Sequence, residues 1–172
     1  MQKELPQNQP IKKKTSNPSK NQIEGTHKIN SASAGPVGTS AQEHVDTLIA
    51  LYNQGQFEEV VTQATALVEK FPQGNVLHNI LGAANAGLKR FDAAIKSYQR
   101  AIALNPDYAA PYTNLGVAFH QKGDRTSAIK NYQRAIQIKP DNAEAHSNLS
   151  NALKEEGNLS AAIESCNRAL KI

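Results

Sequence analysis

The sequence predicts an all-α fold, a solenoid in which helix–turn–helix units stack side by side. The first observation is a fixed interval of 34 residues, at which segments 75–108 and 109–142 repeat each other most clearly. The second is the helical spacing of the apolar residues within each segment, and the third is the glycine or proline that marks the breaks. Such an interval is typical of units that bury their apolar faces only by stacking on one another.

The chain divides at residue 40 into two parts of different composition. Residues 1–40 hold six Lys and two Glu among many polar residues, whereas residues 41–172 hold thirteen basic and thirteen acidic residues. The net charge of +4 therefore lies in the leader. Because so few apolar residues cannot offset the loss of chain entropy, we predict that residues 1–40 are a disordered basic leader and that residues 41–172 form the array.

The array contains three complete units and a truncated fourth. They span residues 41–74, 75–108, 109–142 and 143–172. In the third unit, apolar residues follow helical spacing over 109–121 (helix A) and again over 125–138 (helix B). Gly123 separates the two helices, since glycine readily adopts the left-handed conformation that follows a helix end. Pro140 ends the unit because proline cannot continue a helix.

Small residues mark the predicted crossing of helices A and B within a unit. Gly116 and Ala128 occupy these positions in unit three, where a larger side chain would push the helix axes beyond the usual separation of about 8–10 Å. The aromatic side chains of Phe119 and Tyr132 are expected to fill the space beside this contact.

The other units keep this register with a few substitutions. Unit one has Leu48 and unit four has Ser150 where Gly116 stands, and unit two has Lys89 in place of the turn glycine. Two apolar rows along the B helices predict the seams between successive units. These rows are Val61, Ile95, Ile129 and Ile163, and Val68, Ile102, Ile136 and Leu170.

Unit three resembles the tetratricopeptide repeat family. The residues that carry the resemblance are Tyr112, Leu115, Gly116, Phe119, Ala128, Tyr132, Ala135 and Pro140. The resemblance extends over residues 41–172 and implies a right-handed superhelical solenoid whose A helices line a concave groove. It also implies a protein-binding function. Similar arrays precede the catalytic domains of bacterial O-GlcNAc-transferase-like proteins and of some sulfotransferases.

By this resemblance, the groove is lined by the second, fifth, sixth, ninth, twelfth and thirteenth residues of each unit. The candidate partner-binding residues are Asn79, Ala83, Thr113, Asn114, Val117, Gln121, Ser147, Asn148, Asn151 and Lys154. Asn114 and Asn148 lie one period apart, and a side-chain amide can both donate to and accept from a peptide backbone. The pair is similar to the asparagine ladder of O-linked N-acetylglucosamine transferases, and the alternative reading is a solvated face.

A different binding mode of the family, the carboxylate clamp for chaperone C-termini, requires Lys and Asn on the first helix and basic residues on a later one. Val45 and Ile49 occupy the first two of these sites, and Glu144 stands at a later lysine site. We therefore predict that the clamp is absent.

Several residue types that can carry chemistry are interpreted as structural. His44, His78 and His146 are aligned one or two periods apart, and neighbouring helices about 8–10 Å apart cannot bring such side chains to within about 2.0–2.1 Å of one metal ion. We expect these histidines and Cys166 to pack in the core, and His120 to be exposed and alone. No set of residues suggests catalysis, so we predict no enzymatic activity, no cofactor and no metal site.

The sequence also predicts where the protein acts. No apolar run is long enough to cross a membrane, no signal peptide is recognisable, and the single cysteine suits a reducing compartment. These observations favour a cytoplasmic protein with no membrane partner. The cluster Lys12–Lys14 could contact nucleic acid, but the neutral array disfavours this partner.

The printed chain stops at Ile172, before the proline turn that would close unit four, and leaves Leu170 and Ile172 beside an open face. Because arrays generally need a capping unit, we expect either self-association through this face or a longer protein, and we favour the latter. The predicted function is a scaffold that binds a peptide or protein partner in the groove. The alternative is the substrate-recruiting repeat region of a larger enzyme.

Overall fold

The structure is a computed structural model that describes residues 40–172. The predicted disordered leader lies outside the described residues, except for Ser40, which begins the first helix one residue before the expected boundary. The described part of the chain consists of eight α-helices without strands. They are α1 (Ser40–Asn53), α2 (Phe57–Lys70), α3 (Asn75–Gly87), α4 (Phe91–Leu104), α5 (Ala109–Gln121), α6 (Arg125–Ile138), α7 (Ala143–Glu155) and α8 (Leu159–Ala169).

The helices pair in chain order, so that each unit consists of one A helix and one B helix. Each B helix packs on the A helix of its own unit, and α2, α4 and α6 also pack on the A helix of the next. The A helices α1, α3, α5 and α7 contact one another in sequence. The prediction of an all-α helical solenoid is therefore confirmed. This arrangement places the A helices side by side along one face and the B helices along the other.

The turns between the two helices of a unit follow the sequence prediction. Gly55, Gly123 and Gly157 have φ angles of 77°, 85° and 84°, the left-handed region in which glycine carries no steric penalty. Unit two has Lys89 at the equivalent position, with φ of 60°. A lysine there is strained by contact between its Cβ and the backbone, yet the turn has the same shape.

The close crossing of helices A and B is also confirmed. A Cβ atom added to Gly116 would lie 2.5 Å from Cε1 of Tyr132, and one added to Gly82 would lie 2.6 Å from Cδ1 of Tyr98. Both distances are shorter than non-bonded carbon atoms allow, so only glycine at these two positions leaves room for the tyrosine ring. Unit four replaces this contact with a hydrogen bond of 2.7 Å from Oγ of Ser150 to the carbonyl oxygen of Ala162.

Three groups of buried side chains form the core, and they follow one another along the array. The first joins units one and two, the second joins units two and three, and the third joins units three and four. Phe119 packs against both the second and the third group. The core therefore continues from unit to unit, as the predicted seams require.

The predicted burial of unit four is wrong at the outer face of its B helix. Ile163 is 61% exposed, whereas Ile129, its equivalent in unit three, is 9% exposed. Cys166 is exposed rather than packed in the core, whereas the exposure of Leu170 agrees with the open face expected at the end of unit four. The physical reason is that no helix of the described chain packs on this side of α8.

Within residues 40–172, no helix combines the length and apolar character needed to cross a membrane.

Candidate functional site

The predicted groove residues separate into a buried and an exposed group. Asn79 and Ala83 are fully buried where α3 lies between α1 and α5, so they pack beneath the groove surface. Their role as partner contacts stays a prediction, and their burial counts against it. Val117 is half-buried and packs against the core of units three and four. Gln121, Ser147, Asn151 and Lys154 are exposed, and Asn148 is half-buried.

Asn114 differs from the residue predicted as a ladder rung. Its side chain is 2% exposed, and its Nδ2 donates a hydrogen bond of 3.0 Å to Oδ1 of Asn79. Asn79 in turn donates through its Nδ2 to the hydroxyl of Tyr108, at 3.3 Å. Oδ1 of Asn114 has no hydrogen-bond partner among the described residues. The two amides and the hydroxyl thus form a buried chain that leaves one acceptor unused.

The same inter-helix bridge recurs one period later with different chemistry. Nδ2 of Asn142 donates to Oγ1 of Thr113 at 3.1 Å, and these two residues are equivalent to Tyr108 and Asn79. Asn142 also precedes α7 and accepts, through Oδ1, a hydrogen bond of 3.0 Å from the backbone N–H of Ala145. The last residue of each of these units therefore ties the start of the next A helix to the A helix before it.

A cavity of about 370 Å³ opens where units two, three and four meet, and we call it the junction pocket. Its lining combines the starts of α5 and α7 with the end of α6. The lining residues are Asp107, Tyr108, Ala109, Ala110, Thr113, Asn114, Ile138, Lys139, Asn142 and Glu144. Thr113 and Asn114, both predicted from the sequence, therefore border an open space despite their burial.

Four lining residues were not predicted from the sequence, because they lie in turns outside the A helices: Asp107, Tyr108, Lys139 and Asn142. A signal was present, since Asp107 and Asp141 occupy equivalent positions immediately before two successive A helices. Side chains from the turns reach the groove because these turns lie beside the helix starts that line it.

Glu144 is a secondary cause of the raised pKa values of three buried tyrosines, after burial itself. Burial is the main cause that raises the pKa of Tyr52 to about 12, and the nearby Glu144 carboxylate raises it further. Burial and Glu144 likewise raise the pKa values of Tyr98 and Tyr132. A single carboxylate thus affects tyrosines of units one, two and three. Burial raises the pKa of Tyr108 to about 12, against the hydrogen bond from Asn79, which lowers it.

His120 is not alone, contrary to the prediction. Its Nε2 donates to Oε2 of Glu155 at 3.1 Å, and Nε of Arg125 donates to the same oxygen at 3.0 Å. The hydrogen bond from Arg125, and to a smaller degree that from His120, holds the pKa of Glu155 below its usual value. The cluster joins the end of α5 and the start of α6 to the end of α7, at the opposite end of the A helices from the junction pocket.

The aligned histidines have three different environments. His146 is buried, with its Nε2 3.0 Å from the carbonyl oxygen of Pro140, and His78 is half-buried, with its Nε2 3.4 Å from that of Pro72. His44 is exposed, so the prediction that it packs in the core is wrong, because α1 has no earlier helix of the described chain beside it. No three His, Cys, Asp or Glu residues between positions 40 and 172 are arranged to hold a metal ion.

The fold is shared with solved structures of MamA. One crystal structure of MamA has a TM-score of 0.70 and 28% sequence identity, and the alignment covers 76% of each chain. A second has a TM-score of 0.66 and 29% identity, covering 77% of this chain and 75% of MamA. MamA from Desulfovibrio magneticus RS-1, at 21% identity and a TM-score of 0.67 over 73% of this chain and 71% of the other, supports the fold alone.

Sequence comparison identifies relatives and family models that agree with this helical-repeat fold. The Hsp70-Hsp90 organizing protein of Triticum aestivum is 31% identical over 78 residues, which are 45% of this chain and only 13% of that relative. The family model described as TPR repeat matches residues 82–123 and 118–157, and the one described as tetratricopeptide repeat matches residues 143–172. Together the two models match more than half of the chain. With its register of paired helices and its glycine–tyrosine contacts, the chain belongs to the tetratricopeptide repeat family.

Proposed function

We propose that this protein is an interaction scaffold that binds a peptide or a segment of a protein partner along the A-helix face. The observation that carries the proposal is the unused Oδ1 acceptor of the buried Asn114 at the junction pocket, beside a row of exposed polar side chains on α5 and α7. A buried acceptor without a partner costs about 1–3 kcal/mol, which a ligand's N–H group would recover. The surface is therefore suited to a ligand rich in hydrogen-bonding groups, such as an extended peptide.

The mode of binding differs from the capture of a chaperone C-terminal carboxylate. Val45 is buried, and Glu144 adds a negative charge beside the groove. A terminal carboxylate would meet an apolar first helix and a like charge on the last one. The similarity to an Hsp70-Hsp90 organizing protein thus supports a binding role for the array without assigning that organizer's partners to this chain.

The remaining functional hypotheses stay predictions. Four of them each need their own experiment. They are the similarity to arrays of O-GlcNAc-transferase-like proteins and sulfotransferases, the role as a larger enzyme's recruiting region, self-association through α8 and a cytoplasmic location. One relative named above is an organizing protein, which favours the scaffold over a catalytic role.

A peptide array tests the proposed function. The full chain is incubated with an array of overlapping and randomised dodecamer peptides, and the bound spots are compared with those of Ser147→Ala/Asn151→Ala. Both side chains are exposed on α7, so their loss should weaken binding about tenfold without unfolding the protein. Asn114→Ala is a poorer test because it also breaks the bond to Asn79.

The matched control is Gln133→Ala/Gln137→Ala, which removes two exposed polar side chains from α6 on the opposite face. We expect this variant to bind as the wild type does. Equal binding by the wild type and by both double variants would show that the partner does not use the groove.

A further inference from the structure

The junction pocket carries charges that the preceding junction of the array lacks. One period earlier, the positions of Asp107, Asn114, Lys139 and Glu144 are occupied by Gln73, Ile80, Asn105 and Ala110. The two junctions have the same backbone design, since both join a B helix to the next A helix by a turn of similar length. The ionisable groups are therefore not required by the fold, and their position beside an open cavity calls for a separate explanation.

A buried polar residue borders this cavity. Asn114 lines the junction pocket and is 2% exposed, and its Oδ1 accepts no hydrogen bond from the described residues. Its equivalent Ile80 fills the same position with an apolar side chain. Since an unused buried acceptor is costly, a ligand group that donates a hydrogen bond is favoured at this point over one that only accepts.

The charges around the cavity favour a cation. Asp107 and Glu144 outnumber Lys139 among the ionised groups of the lining. Glu144 lies in the first turn of α7 and lines the cavity, so its negative charge stands at the edge of the space that a ligand would enter. A positively charged group entering from the groove would therefore approach along a favourable potential.

Two helix starts at this place would by themselves favour an anion. However, Pro111 lacks an N–H group in the first turn of α5. At α7, the N–H of Ala145 already donates to Asn142, and Glu144 stands in the first turn. Few donors remain for an anion, and a carboxylate already offsets the positive end of α7.

We propose that the junction pocket receives a Lys or Arg side chain of the bound partner peptide, held by Asp107, Glu144 and the Oδ1 of Asn114. An ammonium or guanidinium group carries donors only, which match these three acceptors. The proposal rests on the peptide-binding function proposed above and adds to it the chemical class of one partner residue. It also predicts that the pocket prefers a positively charged ligand group, whereas a carboxylate clamp prefers a negatively charged one.

The test uses pools of randomised peptides that differ only at one fixed central residue: Lys, Arg, norleucine or Glu. Binding of each pool to the full chain is measured by fluorescence anisotropy. We expect the Lys and Arg pools to bind about tenfold more tightly than the norleucine pool, and the Glu pool to bind most weakly. Raising the salt concentration should reduce this preference, because the charges border an open cavity.

The decisive variant is Asp107→Gln/Glu144→Ala, which gives the two carboxylate positions of the junction pocket the residues found at the preceding junction. We expect it to bind the Lys, Arg and norleucine pools within about twofold of one another, because the two carboxylates that favour a cation are gone. Glu59→Gln/Glu69→Gln removes two exposed carboxylates from α2 and should keep the wild-type preference. Circular dichroism confirms that each variant is folded before binding is measured.

The outcomes separate the two proposals. Pools that all bind equally, and whose binding is weakened by Ser147→Ala/Asn151→Ala, would overturn the basic-residue pocket and leave the peptide groove intact. The same conclusion follows if the charge variant keeps the preference for Lys and Arg. If no pool binds the wild-type chain, the peptide-binding function is contradicted, and the pocket proposal falls with it.

Discussion

Asn79 and Asn114 show how single residues in the repeat take different roles. They are the fifth residue of unit two and the sixth of unit three, and both were predicted to contact a partner. In the structure they bond to each other, so one supports the other from beneath. Which amide lies at the groove surface depends on how closely neighbouring A helices approach, and a pattern of residues along one helix does not contain that distance.

The strained turn residue Lys89 gives a prediction at the same scale. Lys89→Gly should raise the free energy of unfolding by about 0.5–1 kcal/mol. Relief of the left-handed strain contributes about 1–2 kcal/mol, and the greater freedom of glycine in the unfolded chain takes back about 0.5–1 kcal/mol. Urea denaturation followed by circular dichroism measures the change. Glu156→Gly, at a residue with φ of −80°, should instead lower stability, and a gain there would contradict the explanation.

The glycine at the helix crossing gives a second prediction. Gly116→Ala should lower the free energy of unfolding by about 1–2 kcal/mol, because the new methyl group overlaps the ring of Tyr132, which is itself buried. Helix propensity alone predicts the opposite sign, a gain of about 1 kcal/mol. Thermal or urea unfolding decides between them. A more stable variant would mean that the tyrosine ring moves aside without cost.

At the scale of the element, the helices differ in whether a side chain caps their first turn. Asp124, Asn142 and Asn158 precede α6, α7 and α8 and accept hydrogen bonds from the backbone N–H groups of Ser127, Ala145 and Ala161. The side chains of Gln56, Arg90 and Tyr108, which precede α2, α4 and α5, make no such bond, and Gly74, which precedes α3, has no side chain to make one. The C-terminal half of the array thus has its helix starts fixed locally, and the N-terminal half depends more on packing.

The cap of α6 should make stability depend on pH. The hydrogen bond from the backbone N–H of Ser127 lowers the pKa of Asp124 below its ordinary value of 3.8. A lowered folded-state pKa means that the stabilisation is present above pH 3.8 and is lost as the pH falls towards the folded-state value. Unfolding curves of the wild type and of Asp124→Asn should therefore converge as the pH falls from 5 to 2. A constant difference over this range would show that the carboxylate's charge does not matter.

At the scale of the whole molecule, the apolar row of the B helices changes character at the last unit. Ile129 is covered by α7, whereas its equivalent Ile163 is open on α8. Ile129→Lys should lower the free energy of unfolding by about 3 kcal/mol or more, since it buries a charge without a partner. Ile163→Lys should change it by less than about 0.5 kcal/mol. Chemical denaturation of both variants gives the comparison, and equal losses would show that the two faces are buried alike.

Much of the fold was predictable from the sequence, because a repeated pattern samples the same local physics several times. The helix bounds, the turn glycines at 55, 123 and 157, and the contact of Gly116 with Tyr132 depend on residues within one unit. The errors concern residues whose environment comes from a neighbouring unit. Cys166 and His44 are exposed because they lie in the outermost units. The residues at the equivalent positions of the inner units are buried or half-buried.

The candidate site was predictable only in part. Thr113 and Asn114 border the junction pocket as residues of one A helix, and Glu144 as a residue of the next, but Asp107 and Lys139 come there from two different turns. The sequence by itself determined the period, the helix pairs and the family, since these follow from spacing along the chain. Only the tertiary structure decided which amide is buried, which acceptor is left unused and which charges share one cavity, because these depend on distances between units that stack in space.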